Sequence, residues 1–307
     1  MFEIKHHVVQ YGLWPNCNNN CKFCLRMNRE VWNKKRLLLE IDRVRENIKY
    51  VDWKDKFADG ISILGGEIYF VTDKDIQDKY MLLIDDIIDK ILLVSPSQFC
   101  RYSTVTNGMY DPAFLFRVID RIKERTGSTK FVDMNFSYDI KYRYPNEEKR
   151  LLALENIKRF RDRYNYAVGV QMILTQYLID DILSKKFDFK DFIENELKGC
   201  NFCFLYPHPI HSGFTLNDFF FKREDFLKFC IYLKENFPQI YSNMYSSTNA
   251  SAIYKYTGMH NKNKDTTQEP VLSDGKEELT DCGHSVLYRC YADSNECMLC
   301  DLKILGE

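Results

Sequence analysis

The chain has 307 residues, 45% hydrophobic and 28% charged, the composition of a globular protein with one large core or one core plus a small appendage. Its formal net charge of −1 gives no electrostatic argument for a nucleic-acid partner, and no apolar run reaches the roughly 18 residues that a membrane-spanning helix needs. The N-terminus lacks the charged and apolar regions of a secretory signal, so a cytoplasmic location is expected and the 11 cysteines read as metal ligands, catalytic groups or packing groups rather than as a disulfide framework.

In chain order, His6–Leu13 reads as a first strand and Leu39–Val51 as a helix. Gly60–Leu64 is a short apolar strand running into Gly65-Gly66-Glu67. Ile76, Tyr80, Leu83, Ile84, Ile87, Ile88 and Ile91 repeat on one helical stripe. Tyr102–Thr106 is a strand ending at the turn pair Asn107-Gly108, and Pro112–Glu124 is a helix with proline at its start. A strand at Phe131–Asp139, a helix at Glu147–Tyr164 and a strand at Ala167–Thr175 follow. Phe187–Leu197 reads as helical, Asn201–Tyr206 as a sixth strand and Glu224–Phe237 as the helix after it.

Repeated β–α units imply a parallel sheet with helices outside it, and chemistry then gathers at the C-terminal ends of the strands. The alternation stops after residue 238. Residues 246–276 are polar and loop-like, and Cys282–Asp301 is dense in cysteine. The expected class is therefore α/β, with a parallel-sheet domain over 1–239 and a small cysteine-rich module over 240–307.

Cys17, Cys21 and Cys24 stand as C-x3-C-x2-C just after the first strand, a spacing expected about 0.01 times by chance in a chain of this composition. Three thiolates so spaced can hold three irons of a [4Fe–4S] cluster and leave the fourth without a protein ligand, and open sites are where metals do chemistry. A zinc knuckle or a set of buried thiols is the plainer reading. Cys282, Cys290, Cys297 and Cys300 form a second set, C-x7-C-x6-C-x2-C, and four thiolates suit a closed cluster or structural zinc.

Cys-x3-Cys-x-aromatic-Cys, with Phe23 as the aromatic, resembles the signature of the radical S-adenosylmethionine (radical SAM) superfamily. The resemblance implies a partial (β/α)6 TIM-like barrel and a [4Fe–4S] cluster whose free iron is chelated by S-adenosylmethionine. It further implies reductive cleavage of that molecule to a 5′-deoxyadenosyl radical, which takes hydrogen from a substrate. A reductant such as flavodoxin or ferredoxin is the implied partner.

Gly65, Gly66 and Glu67 resemble the family's glycine-glycine-glutamate motif, in which Glu67 accepts from the methionyl ammonium. Ser137-Tyr138-Asp139 resembles its Ser-x-Asp at the fourth strand end, Asn107 matches a turn that lines the site, and Phe23 falls beside the adenine. The fifth strand, Val168-Gly169-Val170-Gln171-Met172, departs from the family's glycine-isoleucine-glycine pattern.

The stretch from Cys282 to Cys300 looks like the auxiliary-cluster region of the SPASM and twitch subfamilies, with four cysteines where a full SPASM domain has seven. That implies a second [4Fe–4S] cluster and, by analogy, a peptide or protein side chain as substrate. A small molecule or nucleoside is the alternative substrate. A zinc- or cluster-bearing binding module on a degenerate barrel is the alternative to an enzyme. The first strand starts within ten residues, so no leader-peptide recognition segment is expected before the barrel.

Among the remaining cysteines, Cys230 shares a helical face with Phe226, Phe229 and Leu233 and reads as packing, as does Cys100. Cys200 and Cys203 can share a ligand only if residues 199–201 turn, since residues three apart on a strand face opposite ways. His208 and His211 follow the sixth strand as candidates for substrate contact.

Overall fold

A computed structural model describes residues 7–21, 31–50, 58–94, 100–141, 143–205, 221–244 and 305. Six strands, β1 (His7–Trp14), β2 (Ala58–Gly65), β3 (Arg101–Thr106), β4 (Val132–Tyr138), β5 (Gly169–Ile173) and β6 (Asn201–Leu205), are hydrogen-bonded in chain order. The helices α1 (Lys34–Tyr50), α2 (Lys74–Val94), α3 (Ala113–Thr126), α4 (Glu147–Tyr164), α5 (Gln176–Leu183) and α7 (Arg223–Asn236) alternate with them, and a short α6 (Phe189–Asp191) precedes β6. This is the α/β class and the six-unit order of a partial TIM-like barrel that the sequence predicts.

The pairings of β1 with β2, β2 with β3 and β3 with β4 are parallel, with Val9 opposite Ile61, Ile61 opposite Tyr102 and Tyr102 opposite Val132. Strand alternation does the expected work: Val132, Met134, Phe136 and Tyr138 of β4 are buried, while the residues between them are half-buried. The predicted α2 stripe is the buried face of that helix. Asn146 caps α4 by accepting from the Lys149 N–H at 3.0 Å, and Gly127 ends α3 in the left-handed region at φ 75°.

The described residues group into two compact units. The first holds β1 to β4 with α1 to α4. The second holds α5, α6, α7 and β6 from Phe202, and its core contains a phenylalanine cluster: Phe204 lies 4.9 Å from Phe202, 5.5 Å from Phe229 and 5.7 Å from Phe189, ring centre to ring centre. Cys230 is buried on α7, and Cys100 is buried ahead of β3. No helix among the described residues is long and apolar enough to cross a membrane.

The sequence reading departs from the structure in three places. Helix α1 begins at Lys34 rather than Leu39, because Asn33 caps it by accepting from the Arg36 N–H at 3.0 Å, and Lys34, Lys35 and Arg36 form an exposed first turn. Helix α5 was not predicted. Thr175, read as the end of a strand, is instead its N-cap and accepts from the Leu178 N–H at 3.3 Å. The segment Phe187–Leu197 is a single turn of α-helix followed by a π-turn at Phe192–Glu196, which turns Phe189 and Phe192 inward.

Candidate active site

The C-terminal ends of β1, β2 and β3 converge. Gly65 approaches the backbone of β1 so closely that a Cβ there would sit 2.1 Å from the Trp14 carbonyl oxygen, so only glycine fits. The Gly66 N–H donates to that carbonyl, and the Glu67 N–H donates to the Asn16 carbonyl at 2.8 Å. These bonds fasten the loop that carries Cys17 and Cys21 to the end of β2. Asn16 extends the clamp through its side chain, which accepts from the Trp32 N–H at 2.8 Å and donates to the Trp32 carbonyl at 2.9 Å.

Glu67 is only 1% exposed. Its Oε2 accepts from the Asn107 N–H at 2.6 Å and the Thr106 hydroxyl at 2.9 Å, and its Oε1 accepts from the Tyr69 N–H at 3.4 Å. Burial pushes its pKa up to about 7, against those three hydrogen bonds and the nearby positive charge of Arg143, all of which pull it down. An ionised carboxylate offers about four acceptor directions, so at least one remains for a further donor.

Behind Glu67 runs a set of buried hydroxyls. Thr106 meets Tyr110 at 2.6 Å, while Tyr102 meets both Tyr69 at 2.8 Å and Tyr80 at 2.7 Å. Asn107 ties the strand ends together. Its Nδ2 donates to Asn18 Oδ1 at 2.8 Å and lies 3.9 Å from Cys17 Sγ, and its Oδ1 accepts from the Met109 N–H at 2.9 Å. Asn18 Nδ2 in turn donates to the Met109 carbonyl at 2.9 Å. The left-handed φ of 70° at Gly108 lets the chain turn there.

The loop between β4 and α4 reaches the second cysteine. Arg143 Nη1 lies 3.8 Å from Cys21 Sγ, and Asn19 Nδ2 donates to Cys21 Sγ at 3.1 Å and to the Arg143 carbonyl at 2.7 Å. Cys17 is exposed and Cys21 is buried. Asp139 is buried at the end of β4, where its Oδ1 accepts from the Lys141 N–H at 2.9 Å. Ser137 is half-buried, and its carbonyl accepts from the Tyr144 hydroxyl at 3.2 Å.

Of the residues singled out in the sequence, the structure thus brings Cys17, Cys21, Gly65, Gly66, Glu67 and Asn107 into one bonded neighbourhood and sets Ser137 and Asp139 at the end of β4. Phe23, Cys24, Cys282, Cys290, Cys297, Cys300, His208 and His211 lie outside the described residues. Among the described residues no three histidine, cysteine or acidic side chains cluster as a metal site. Burial pushes the Cys203 thiol up to about 11 and raises that of Cys200, whose neighbour Arg161 acts the other way; both cysteines are therefore held as thiols.

Sequence reasoning missed Arg143, Asn18 and Asn19. The two asparagines stand between the paired cysteines, where short amides within reach of two sulfurs were the available signal. Arg143 has no local signal, since its role depends on where the β4–α4 loop lands. A 540 Å³ groove among α2, α3 and α4 is not part of this site. Arg121 pairs there with Asp85 at 2.8 Å and Arg163 with Asp120 at 2.7 Å, and none of its lining residues comes from a strand end.

The fold belongs to the class of α/β proteins with a partial TIM-like barrel order. Among solved structures it resembles native anSMEcpe, an anaerobic sulfatase-maturating enzyme, with bound AdoMet, at a TM-score of 0.50 and 16% identity over 78% of this chain and 62% of that one. The His6-tagged form with bound AdoMet is similar at a TM-score of 0.48 and 15% identity, with the same coverage. The chain spans less than two thirds of the length of these neighbours, and at this identity the likeness is one of fold. No family model and no curated protein matches the sequence.

Proposed function

We propose that the protein is a radical SAM enzyme. The observation that carries this reading is the convergence of the cysteine loop after β1, the Gly65–Glu67 turn after β2 and Asn107 after β3, joined by the Glu67 to Asn107 contact at 2.6 Å. The donor set fits the cofactors: two sulfurs with N–H groups directed at them stand near a buried carboxylate that titrates near neutrality. Cys17 and Cys21, with Cys24 three residues further on, would hold three irons of a [4Fe–4S] cluster. When bound, the cluster and S-adenosylmethionine supply reductive cleavage of the sulfonium and hydrogen abstraction from a substrate.

The chain's own part is positioning. Glu67 has an acceptor direction left for the methionyl ammonium, and a cation arriving there favours its ionised form. Gly65 and Gly66 bring backbone close to the ligand. By their match to the family motifs, Ser137 is assigned to the ribose or carboxylate of the same ligand, Asp139 to its ribose or to the substrate, and Phe23 to its adenine side. Electrons come from a flavodoxin or ferredoxin in a reducing, cytoplasmic setting, and Cys282, Cys290, Cys297 and Cys300 hold an auxiliary [4Fe–4S] cluster. The substrate is a peptide or protein side chain. The SPASM-like spacing of those four cysteines supports that choice.

The test is iron and acid-labile sulfide per chain after anaerobic reconstitution, for wild type and the Cys17/Cys21/Cys24→Ala variant. About eight irons falling to about four is the expected result. About four falling to none removes the auxiliary cluster from the proposal. No iron in either protein overturns the radical SAM reading.

A further inference from the structure

Both sulfurs at the site meet nitrogen donors, one from within the cysteine loop and two from the loops after β3 and β4. Cys21 Sγ has Asn19 Nδ2 at 3.1 Å and the Arg143 guanidinium at 3.8 Å, and Cys17 Sγ has Asn107 Nδ2 at 3.9 Å. Asn19 also donates to the Arg143 carbonyl at 2.7 Å, so the amide between the two cysteines holds the β4–α4 loop in place. As a thiol, Cys21 reaches toward that same carbonyl at 4.0 Å. As a thiolate it no longer donates to that carbonyl, and the Asn19 amide and the Arg143 guanidinium remain directed at it. At a half-buried position salt screens the guanidinium's charge less than it would screen a surface charge.

We propose that Arg143 is a positioning residue that, with Asn19, sets the reduction potential of the cluster held by Cys17, Cys21 and Cys24. The inference rests on the cluster reading above. Reduction adds one negative charge to an iron–sulfur centre, and N–H donors and a cation at a ligand sulfur stabilise that charge and raise the potential. Arg143 thereby makes the first electron easier to deliver. Its contact is to a ligand sulfur, so the role does not require it to touch substrate.

The test uses the full chain after anaerobic reconstitution, with iron content and a dithionite titration followed by electron paramagnetic resonance. The relevant signal is the one lost in the Cys17/Cys21/Cys24→Ala variant. Arg143→Leu is expected to keep wild-type iron and to shift the midpoint potential in the negative direction. Arg143→Lys keeps the charge and is expected to lie close to wild type. Arg143→Gln keeps an amide donor without the charge and is expected to fall between Lys and Leu. It also serves as the reading if the Leu variant does not fold. Wild-type iron with an unshifted potential in both Leu and Gln variants overturns the inference and leaves the cluster reading standing. A wild-type chain that takes up no iron overturns both.

Discussion

In the first unit the core closes over Glu67, Thr104, Thr106, Asn107, Asp139 and Asn156, whereas in the second it closes over Phe189, Phe192, Phe202, Phe204, Phe226 and Phe229. Thr175 is the one buried polar side chain described in the second unit, and it is spent on capping α5. Burying a polar group costs free energy unless every bond it had to water is replaced, while burying a phenyl ring yields it directly. The second unit is therefore built for stability. The first accepts a stability cost at the ends of its strands, where ionisable and amide groups are held in fixed directions.

The largest expected effect lies in the phenylalanine core. Phe204→Ala removes a fully buried ring packed against Phe189, Phe202 and Phe229, and should cost about 3–5 kcal/mol. Denaturant unfolding at several pH values checks it. The loss should be the same at each, because no titrating group lies in that contact set. A pH-dependent loss would break the contrast between the units.

Next comes Glu67→Gln. The folded carboxyl, at about 7 against an ordinary 4.5, binds its proton more tightly than the unfolded one. Its contribution is fully present below 4.5, is lost as pH rises toward 7, and stays lost above. Each pH unit of that interval is worth about 1.4 kcal/mol, so on the order of 3 kcal/mol in all. Glutamine cannot titrate, so the variant should match wild type near pH 4.5, exceed it above pH 7 and flatten the intervening slope. Parallel melting-temperature curves for the two proteins would remove the cost assigned to the first unit.

Much of this arrangement was legible in the sequence, and the gaps have physical causes. Period and turn residues carried the six strands and α2, α3, α4 and α7, because each has an apolar face with a Gly, Pro or Asn boundary. Helix α5 was invisible because Gln176–Leu183 is only eight residues long and follows a strand whose apolar run blurs into it. At the site, the cysteine spacing and Gly65-Gly66-Glu67 were readable because they are local. That Glu67 is almost wholly buried, that Asn107 bonds it through the backbone and that Arg143 faces Cys21 were not, since each is a contact between residues 40 or more positions apart.

Asn156 tests how the turn after β3 is held. Its Nδ2 donates to the Gly108 carbonyl at 2.9 Å and the Tyr110 carbonyl at 2.8 Å from a position 1% exposed. Asn156→Ala leaves two buried carbonyls without that donor and should cost about 2 kcal/mol. Hydrogen exchange should accelerate at residues 107–110 more than in the second unit. Uniform acceleration over both units would mean that the turn is not separately held by α4.

The smallest expected effect is also the most directional. An ionised Glu67 only accepts, so Thr106 must donate to it, and Tyr110 must then donate to Thr106 across their 2.6 Å contact. Tyr110→Phe removes that donor and keeps the ring, including its stacking on Tyr69 at 6.1 Å. Thr106 still accepts from the Gly108 N–H at 3.2 Å, so the stability cost should be only about 1 kcal/mol. The more telling change is at Glu67. A Thr106 hydroxyl no longer polarised by Tyr110 is a weaker donor to the carboxylate. The ionised form loses support, and the fall in stability with pH should move to higher pH in the variant. A move to lower pH would mean that the hydroxyls point the other way and that Glu67 is held by its backbone donors alone.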